Sequence, residues 1–149
     1  SSNYDFWGIG IRKLASALAN EGHRVRLVFV LHSVDGPWHS LFRELDSKQV
    51  IDFGYPKDQA QLNAFLKEEH LIGVSTFSLP LFRKTASGIL NNYTGDAIRC
   101  VGGVHATMDP DDAVKLNVDI VCRGDGEGVL KKIAAVKPLD SIPLDIPGT

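Results

Sequence analysis

Two glycine-rich stretches late in the chain have the residue types and spacing best suited to binding a ligand. Gly102-Gly103 follows one apolar run, and Gly124-x-Gly126-x-Gly128 follows the next. Glycine has no side chain, so backbone N–H groups at such turns can approach a bulky ligand closely. Both turns follow predicted strands, and open parallel sheets bind ligands at the carboxyl ends of their strands. The spacing therefore predicts a binding edge built largely of backbone.

The polar side chains beside these glycines are better explained by structural roles than by metal binding. His105 stands next to a predicted helix start, where we expect a hydrogen-bonding partner and not a metal ligand. Asp109, Asp111 and Asp112 resemble an acidic metal cluster, but helix capping explains them better. No Ser/His/Asp or Cys/His constellation can be assembled from this sequence, so we assign neither catalytic residues nor metal ligands.

Composition excludes several classes of protein. The chain has 149 residues, 44% of them hydrophobic and 23% charged, which is typical of one folded domain with a proper core. A net charge of -2 gives no basic surface for nucleic acid or an anionic membrane. No apolar run approaches the roughly 20 residues of a membrane span. Cys100 and Cys122 fall in predicted strands, where we expect small buried hydrophobic residues in a reduced, cytoplasmic protein.

Helices and strands alternate along the chain and must position the glycine turns. Apolar residues at i, i+3, i+4 and i+7 (Ile11, Leu14, Ala15 and Leu18) predict a first helix. Asp109-Pro110 predicts a capped helix start after the first glycine turn. Strands are predicted at 24–31, 50–53, 71–77, 97–101 and 118–122.

This order of elements predicts an α/β fold: a doubly wound, flavodoxin- or Rossmann-like parallel sheet in three α/β/α layers. The flavodoxin-like order places its first strand in the middle of the sheet. Residues 1–8 contain no apolar run long enough for a strand, so that strand is either missing or lies upstream of Ser1. We expect the domain to span residues 1–136. The proline-containing segment 137–149 is predicted to be an extended linker to a further domain.

The two glycine-rich stretches resemble the cobalamin-binding N-terminal domain of radical S-adenosylmethionine enzymes. G-G-V-H-A-T at 102–107 is similar to the G-G-x-H-x-T of that family, and V-D-I-V-C-R-G-D-G-E-G at 118–128 to its D-x-V-x-R-G-E-G-E. I-G-V-S at 72–75 and I-P-G at 146–148 are also similar, the latter to the linker before the radical barrel. The resemblance covers nearly the whole chain, and its specific part is the pair of glycine loops.

The resemblance implies a corrinoid cofactor, cobalamin, and a radical S-adenosylmethionine domain of the same parent chain as partner. S-adenosylmethionine and an iron–sulfur cluster would belong to that downstream domain, because its C-x-x-x-C-x-x-C is absent here. The parent activity implied is methyl transfer or a related reaction. The D-x-H-x-x-G that ligates cobalt in wider cobalamin modules is also absent, so the corrinoid is expected to bind without a protein histidine ligand. The implied cofactor-binding residues are Ser75, Thr76, Phe77, Gly102, Gly103, Val104, His105, Thr107, Gly124, Gly126 and Glu127.

Two other functions stay open at this point. One is a cofactor-free structural or interaction copy of the same fold. The other is a nucleotide-binding oxidoreductase domain, suggested by Gly8-x-Gly10 and by the last glycine stretch. Neither stretch has the G-x-G-x-x-G spacing that seats a pyrophosphate, which makes the oxidoreductase the weaker alternative.

Overall fold

The computed structural model describes residues 9–28, 51–54, 59–75 and 79–136. Within these ranges the helices are α1 (Ile9–Asn20), α2 (Gln59–Leu66), α3 (Leu79–Asn91), α4 (Val104–Met108), α5 (Pro110–Ala113) and α6 (Gly126–Ala134). The strands are β1 (Val25–Val28), β2 (Ile51–Gly54), β3 (Leu71–Ser75), β4 (Ile98–Gly102) and β5 (Ile120–Val121). None of the helices described is long and apolar enough to cross a membrane.

A parallel sheet in the order β3-β4-β5 lies at the centre of the fold. Its register pairs Ser75 with Gly102 and Val101 with Val121. All three strands therefore end at the same edge, and the polypeptide turns that follow β4 and β5 are the two glycine-rich stretches. The predicted parallel sheet is confirmed.

A second, two-stranded parallel ladder joins β1 to β2, with Val25 opposite Ile51. The predicted strand at 50–53 is thus confirmed. In the described part of the chain, no strand pairing connects this ladder to β3. The flavodoxin-like order would place its first strand in this gap. Residues 1–8 lie outside the described part, so the prediction about that strand stays a prediction.

Side chains of the sheet alternate between two apolar clusters, one on each face. On β4, Ile98 and Cys100 belong to the cluster beneath α1 and α6, whereas Val101 belongs to the cluster beneath α2 and α3. Ile72 and Val74 of β3 join Val101. The period of two is what a strand buried on both faces requires. Helices therefore cover both faces, and the three-layer α/β/α prediction is confirmed.

Helix α1 has the face that its sequence predicted. Ala15 is buried, and Leu14 and Leu18 pack on the α6-side cluster. Gly22, just past the end of the helix, has a φ of 88°. Such a positive φ is the usual conformation for a helix C-terminal glycine, which lacks the Cβ that would clash.

Two predicted boundaries are wrong near the glycine loops. The sequence predicted one capped helix, starting at Asp109-Pro110, after the first glycine turn, but a separate helix, α4, begins at Val104, directly after Gly103. The strand predicted at 118–122 is only Ile120–Val121. The pairing nevertheless extends past β5, because Cys122 N donates to Val101 O at 2.7 Å. The linker predicted at 137–149 lies outside the described residues.

Candidate functional site

A cavity of about 250 Å³ opens at the carboxyl edge of the sheet, between the strand ends and helices α1 and α6. Its apolar wall comes from Ile11 and Leu14 of α1 and from Leu130 of α6. The two glycine-rich stretches line it as well. Among the predicted site residues, those lining the cavity are Ser75, Gly102, Gly103, Gly124, Gly126 and Glu127.

Two glycines at the cavity have backbone conformations that other residues rarely adopt. Gly103 has a φ of 99° and Gly124 a φ of 72°. With a ψ of -173°, Gly103 lies in a region essentially restricted to glycine, and a positive φ such as that of Gly124 costs a residue with a Cβ roughly 1–2 kcal/mol. At these two positions, glycine is required by the conformation of the backbone. Gly126, by contrast, is the first residue of α6.

The hydroxyl of Thr107 joins the two glycine loops. Its Oγ1 donates to the carbonyl oxygen of Gly103 at 2.9 Å and accepts the N–H of Gly124 at 2.8 Å. The first bond is local, within one turn of α4, and the second spans 17 residues of sequence. The hydroxyl of Thr107 therefore both donates and accepts a hydrogen bond inside the protein.

His105 lies on α4 and points into the protein. Its side chain is 7% exposed, and Nε2 lies 3.1 Å from Oδ2 of Asp112 on α5. Oδ1 of Asp112 accepts from Nη2 of Arg83 at 2.8 Å. The hydrogen bond from His105, aided by the charges of Arg83 and Lys115, outweighs burial and lowers the pKa of Asp112. The prediction that His105 is a hydrogen-bonding partner is confirmed.

Three potential ligand atoms for a metal ion, from His105, Asp109 and Asp112, lie within 4.8 Å of one another. These residues already bond to the protein. Asp109 Oδ1 accepts the N–H of Asp112 at 3.1 Å, which makes it the N-cap of α5 ahead of Pro110. The predicted helix start at Asp109-Pro110 is therefore confirmed. The arrangement is a hydrogen-bonded junction between α4, α5 and α3.

Glu127 stands in the first turn of α6 and contacts α1. Its Oε1 lies 2.9 Å from Nζ of Lys13, and both residues line the cavity. The hydrogen bond to Glu127 and the nearby charge of Asp125 raise the pKa of Lys13. This pair places a cation in the lining of the cavity, which Ser75 and Asp125 also line.

Two cysteines lie on the floor of the cavity. Cys100 of β4 and Cys122, just past β5, are both buried free thiols with their Sγ atoms 3.2 Å apart. Cys100 pairs in register with Ile120, so Cys122 is its diagonal neighbour on the same face. The hydrogen bond to Cys122 and burial raise the pKa of the Cys100 thiol. A buried, protonated thiol behaves as a small hydrophobic residue, as the sequence predicted.

The remaining predicted site residues lie elsewhere. Val104, His105 and Thr107 lie on α4 and do not line the cavity. Val104 is 58% exposed, and Met108, one turn further on, is 79% exposed. Thr76 and Phe77 lie outside the described residues.

Sequence reasoning missed the contribution of α1 to the cavity. Gly10, Ile11, Lys13 and Leu14 line it, although α1 precedes the glycine loops by about a hundred residues. The hydrophobic face of α1 predicted burial but did not show what it covers. Its contacts with α6 bring it to the cavity.

Comparison with known proteins gives one family. The B12 binding domain family matches residues 1–134. No curated protein and no solved structure matches the chain. The fold described above, with its parallel sheet and its cavity at the carboxyl edge, agrees with that family. The chain belongs to the family of B12-binding domains.

Proposed function

We propose that this domain binds cobalamin with the nucleotide tail in the cavity and the corrin ring on the glycine-bearing edge of the sheet. One observation carries the proposal. Residues predicted from the motifs to touch the cofactor, among them Ser75, Gly103 and Gly124, come from three different segments and line the same cavity. Membership of the B12-binding family supports cobalamin as the ligand.

The size and lining of the cavity fit part of the cofactor. About 250 Å³ is just below the roughly 300–1,000 Å³ typical of pockets for drug-sized ligands, and cobalamin is larger than such ligands. A flat aromatic base is the part that suits the apolar wall formed by Ile11, Leu14 and Leu130. The glycine loops leave room at the rim for polar contacts with the corrin amides.

The proposed binding uses no protein histidine as lower ligand of cobalt. His105 is buried, bonded to Asp112, and separate from the cavity lining. Of the residues the structure describes, none that lines the cavity is a histidine. Bound methylcobalamin would supply a transferable methyl group. The role of this chain is to hold and orient the cofactor.

We further propose that the parent protein is a radical S-adenosylmethionine enzyme, such as a methyltransferase. Support comes from the G-G-V-H-A-T and R-G-D-G-E-G stretches and from the I-P-G at 146–148. Residues 137–149 would connect this domain to the one that holds S-adenosylmethionine and the iron–sulfur cluster. The parent protein, reconstituted with iron and sulfide, should then cleave S-adenosylmethionine reductively. A parent protein that binds no cluster would overturn this assignment without affecting cobalamin binding.

A visible absorption titration with hydroxocobalamin and methylcobalamin, alongside calorimetry, tests the binding proposal. Saturable binding with a base-off spectrum is the expected result, because the tail base would occupy the cavity and leave cobalt. A histidine-ligated spectrum would contradict the histidine-free site and direct attention to His105. A folded domain without affinity for either corrinoid would identify a cofactor-free copy of the fold.

A further inference from the structure

The two glycine loops of the proposed site are joined by the hydroxyl of a single side chain. Gly103 and Gly124 follow different strands and have positive φ angles. The hydroxyl of Thr107 accepts from the N–H of Gly124 at 2.8 Å and donates to the carbonyl oxygen of Gly103 at 2.9 Å. No other side-chain hydrogen bond that the structure describes connects these two loops.

The first of these bonds is common and the second is not. Threonine in a helix often bonds the carbonyl four residues earlier, as Thr107 does with Gly103. That local bond orients the hydroxyl hydrogen and leaves a lone pair of Oγ1 free to accept. The N–H that it accepts belongs to Gly124, 17 residues further along the chain. A local helical bond therefore prepares a link between two distant loops.

The same geometry argues against direct contact between Thr107 and a ligand. The hydroxyl has one hydrogen, and that hydrogen is donated to Gly103. The side chain is half-buried and does not line the cavity, whereas Gly103 and Gly124 both do. Anything that Thr107 does for binding must act through these two glycines.

We propose that Thr107 is a positioning residue: its γ-hydroxyl fixes the two glycine loops for corrinoid binding without touching the cofactor. This inference rests on the proposed function. Loops that are already ordered lose less conformational entropy when a ligand binds, so affinity should fall when the link is removed. Removal of one or two neutral hydrogen bonds at a rim predicts a loss of affinity on the order of tenfold.

The experiment compares Thr107→Val, which keeps the shape and removes the hydroxyl, with Thr107→Ser, which keeps the hydroxyl. Thr94→Val is the matched control, since Thr94 is exposed at the opposite edge of the sheet. Two quantities are measured for each protein. They are the hydrogen-exchange rate of the Gly124 amide in the cofactor-free protein, and the dissociation constant for hydroxocobalamin.

We expect faster Gly124 exchange and weaker binding in Thr107→Val, with both restored in Thr107→Ser and unchanged in Thr94→Val. At saturation the spectrum of bound cobalamin should match that of the wild type, because Thr107 does not contact the cofactor. Should Thr107→Val unfold, Thr107→Ala at lower temperature gives the same comparison.

Unchanged Gly124 exchange in the hydroxyl-free variants would overturn the link between the loops. Faster exchange without any loss of affinity would overturn its role in binding. A wild-type protein that binds no corrinoid would refute the proposed function and the affinity part of this inference. The exchange data would then still decide whether Thr107 joins the loops.

Discussion

The two ends of strand β4 are built in opposite ways. At the amino end, Arg99 binds the carboxylate of Asp119 with three donors. Its backbone N–H, Nε and Nη2 donate at 2.7, 3.0 and 2.9 Å. At the carboxyl end, only three residues further along, Gly102 and Gly103 contribute no side chain and border a cavity. One end is joined to its neighbouring segment by a charged side-chain pair, and the other leaves backbone available.

A second bond reinforces the amino end. The hydroxyl of Tyr93 accepts the N–H of Ala97 at 2.9 Å inside the core. The carboxyl end has the neutral hydroxyl of Thr107 and the surface pair of Lys13 and Glu127. Buried and charge-assisted hydrogen bonds contribute more stability than exposed ones. We infer that the amino end stabilises the domain, which allows the carboxyl end to be open for binding.

Replacing Gly103 by Val should have the largest effect, because it should abolish binding at the carboxyl end and leave the domain folded. A β-branched side chain at a φ of 99° and a ψ of -173° lies in a region essentially restricted to glycine and costs roughly 1–3 kcal/mol, which a folded domain tolerates, but it also fills the rim of the cavity. We expect a folded protein that no longer binds corrinoid, as measured by absorption titration and circular dichroism. Gly88→Ala, in α3 with open space around it, is the control and should bind normally. Undiminished binding in Gly103→Val would remove this loop from the site.

Tyr93→Phe, at the amino end of β4, should lower stability and leave corrinoid affinity unchanged. Loss of the hydroxyl leaves the buried N–H of Ala97 without its acceptor, which costs about 1–3 kcal/mol of unfolding free energy. Urea denaturation measures this loss. Corrinoid affinity should stay at the wild-type value, since Tyr93 lies outside the cavity lining. A large drop in affinity in the folded variant would show that the two ends are coupled.

Gly124→Ala should moderately lower both the corrinoid affinity and the thermal stability of the domain. A methyl group at a φ of 72° costs roughly 1–2 kcal/mol, although nothing lies within 4 Å of the new Cβ. The loop is expected to relax, which weakens its bond to Thr107 and reduces affinity less than Gly103→Val does. Titration and thermal denaturation of the two variants side by side give this order. A larger loss of affinity in Gly124→Ala than in Gly103→Val would make the loop that contains Gly124 the more important of the two for binding.

Acid should destabilise the domain through two carboxyls, Asp119 at the amino end of β4 and Asp112 beside the helix that follows Gly103. Burial opposes ionisation of Asp119, but the hydrogen bonds from Arg99 outweigh it and lower the pKa of that carboxyl. The pKa of Asp112 is also lowered, chiefly by its bond to His105. A lowered folded-state pKa gives stability that is present above the unfolded value of about 4 and is lost as the pH falls through the folded value. Urea denaturation between neutral and acidic pH should show this loss, with a flatter profile in Asp119→Asn.

The smallest effect is expected from Lys13→Gln. The pair with Glu127 is exposed, and such pairs contribute little to stability. The melting temperature should not change measurably, and affinity for hydroxocobalamin should change only slightly. Lys131→Gln, which breaks the pair between Lys131 of α6 and Glu21 just after α1, is the matched control. A marked loss of affinity for Lys13 alone would assign its cation a direct contact with the ligand.

The sequence by itself determined the layers of this fold and the glycine edge. The periodicity of apolar residues in helices and strands determines which layer a side chain such as Leu14, Val74 or Val101 joins. This periodicity depends only on local backbone geometry. Gly103 and Gly124 were predicted as turn residues at strand ends, and both have positive φ. The cap at Asp109-Pro110 was predicted for the same reason, since capping involves neighbours along the chain.

Only the tertiary structure decided what these elements enclose. The cavity needs α1 beside α6, and no local pattern shows that Leu14 and Leu130 line the same cavity. The bond between Thr107 and Gly124 likewise depends on where β4 and β5 end relative to each other. The sequence identified Thr107 through its motif, but the motif could not show that its hydroxyl is already bonded within the protein. Local periodicity fixes which face a residue takes, whereas the contacts between distant segments are set by how the layers pack.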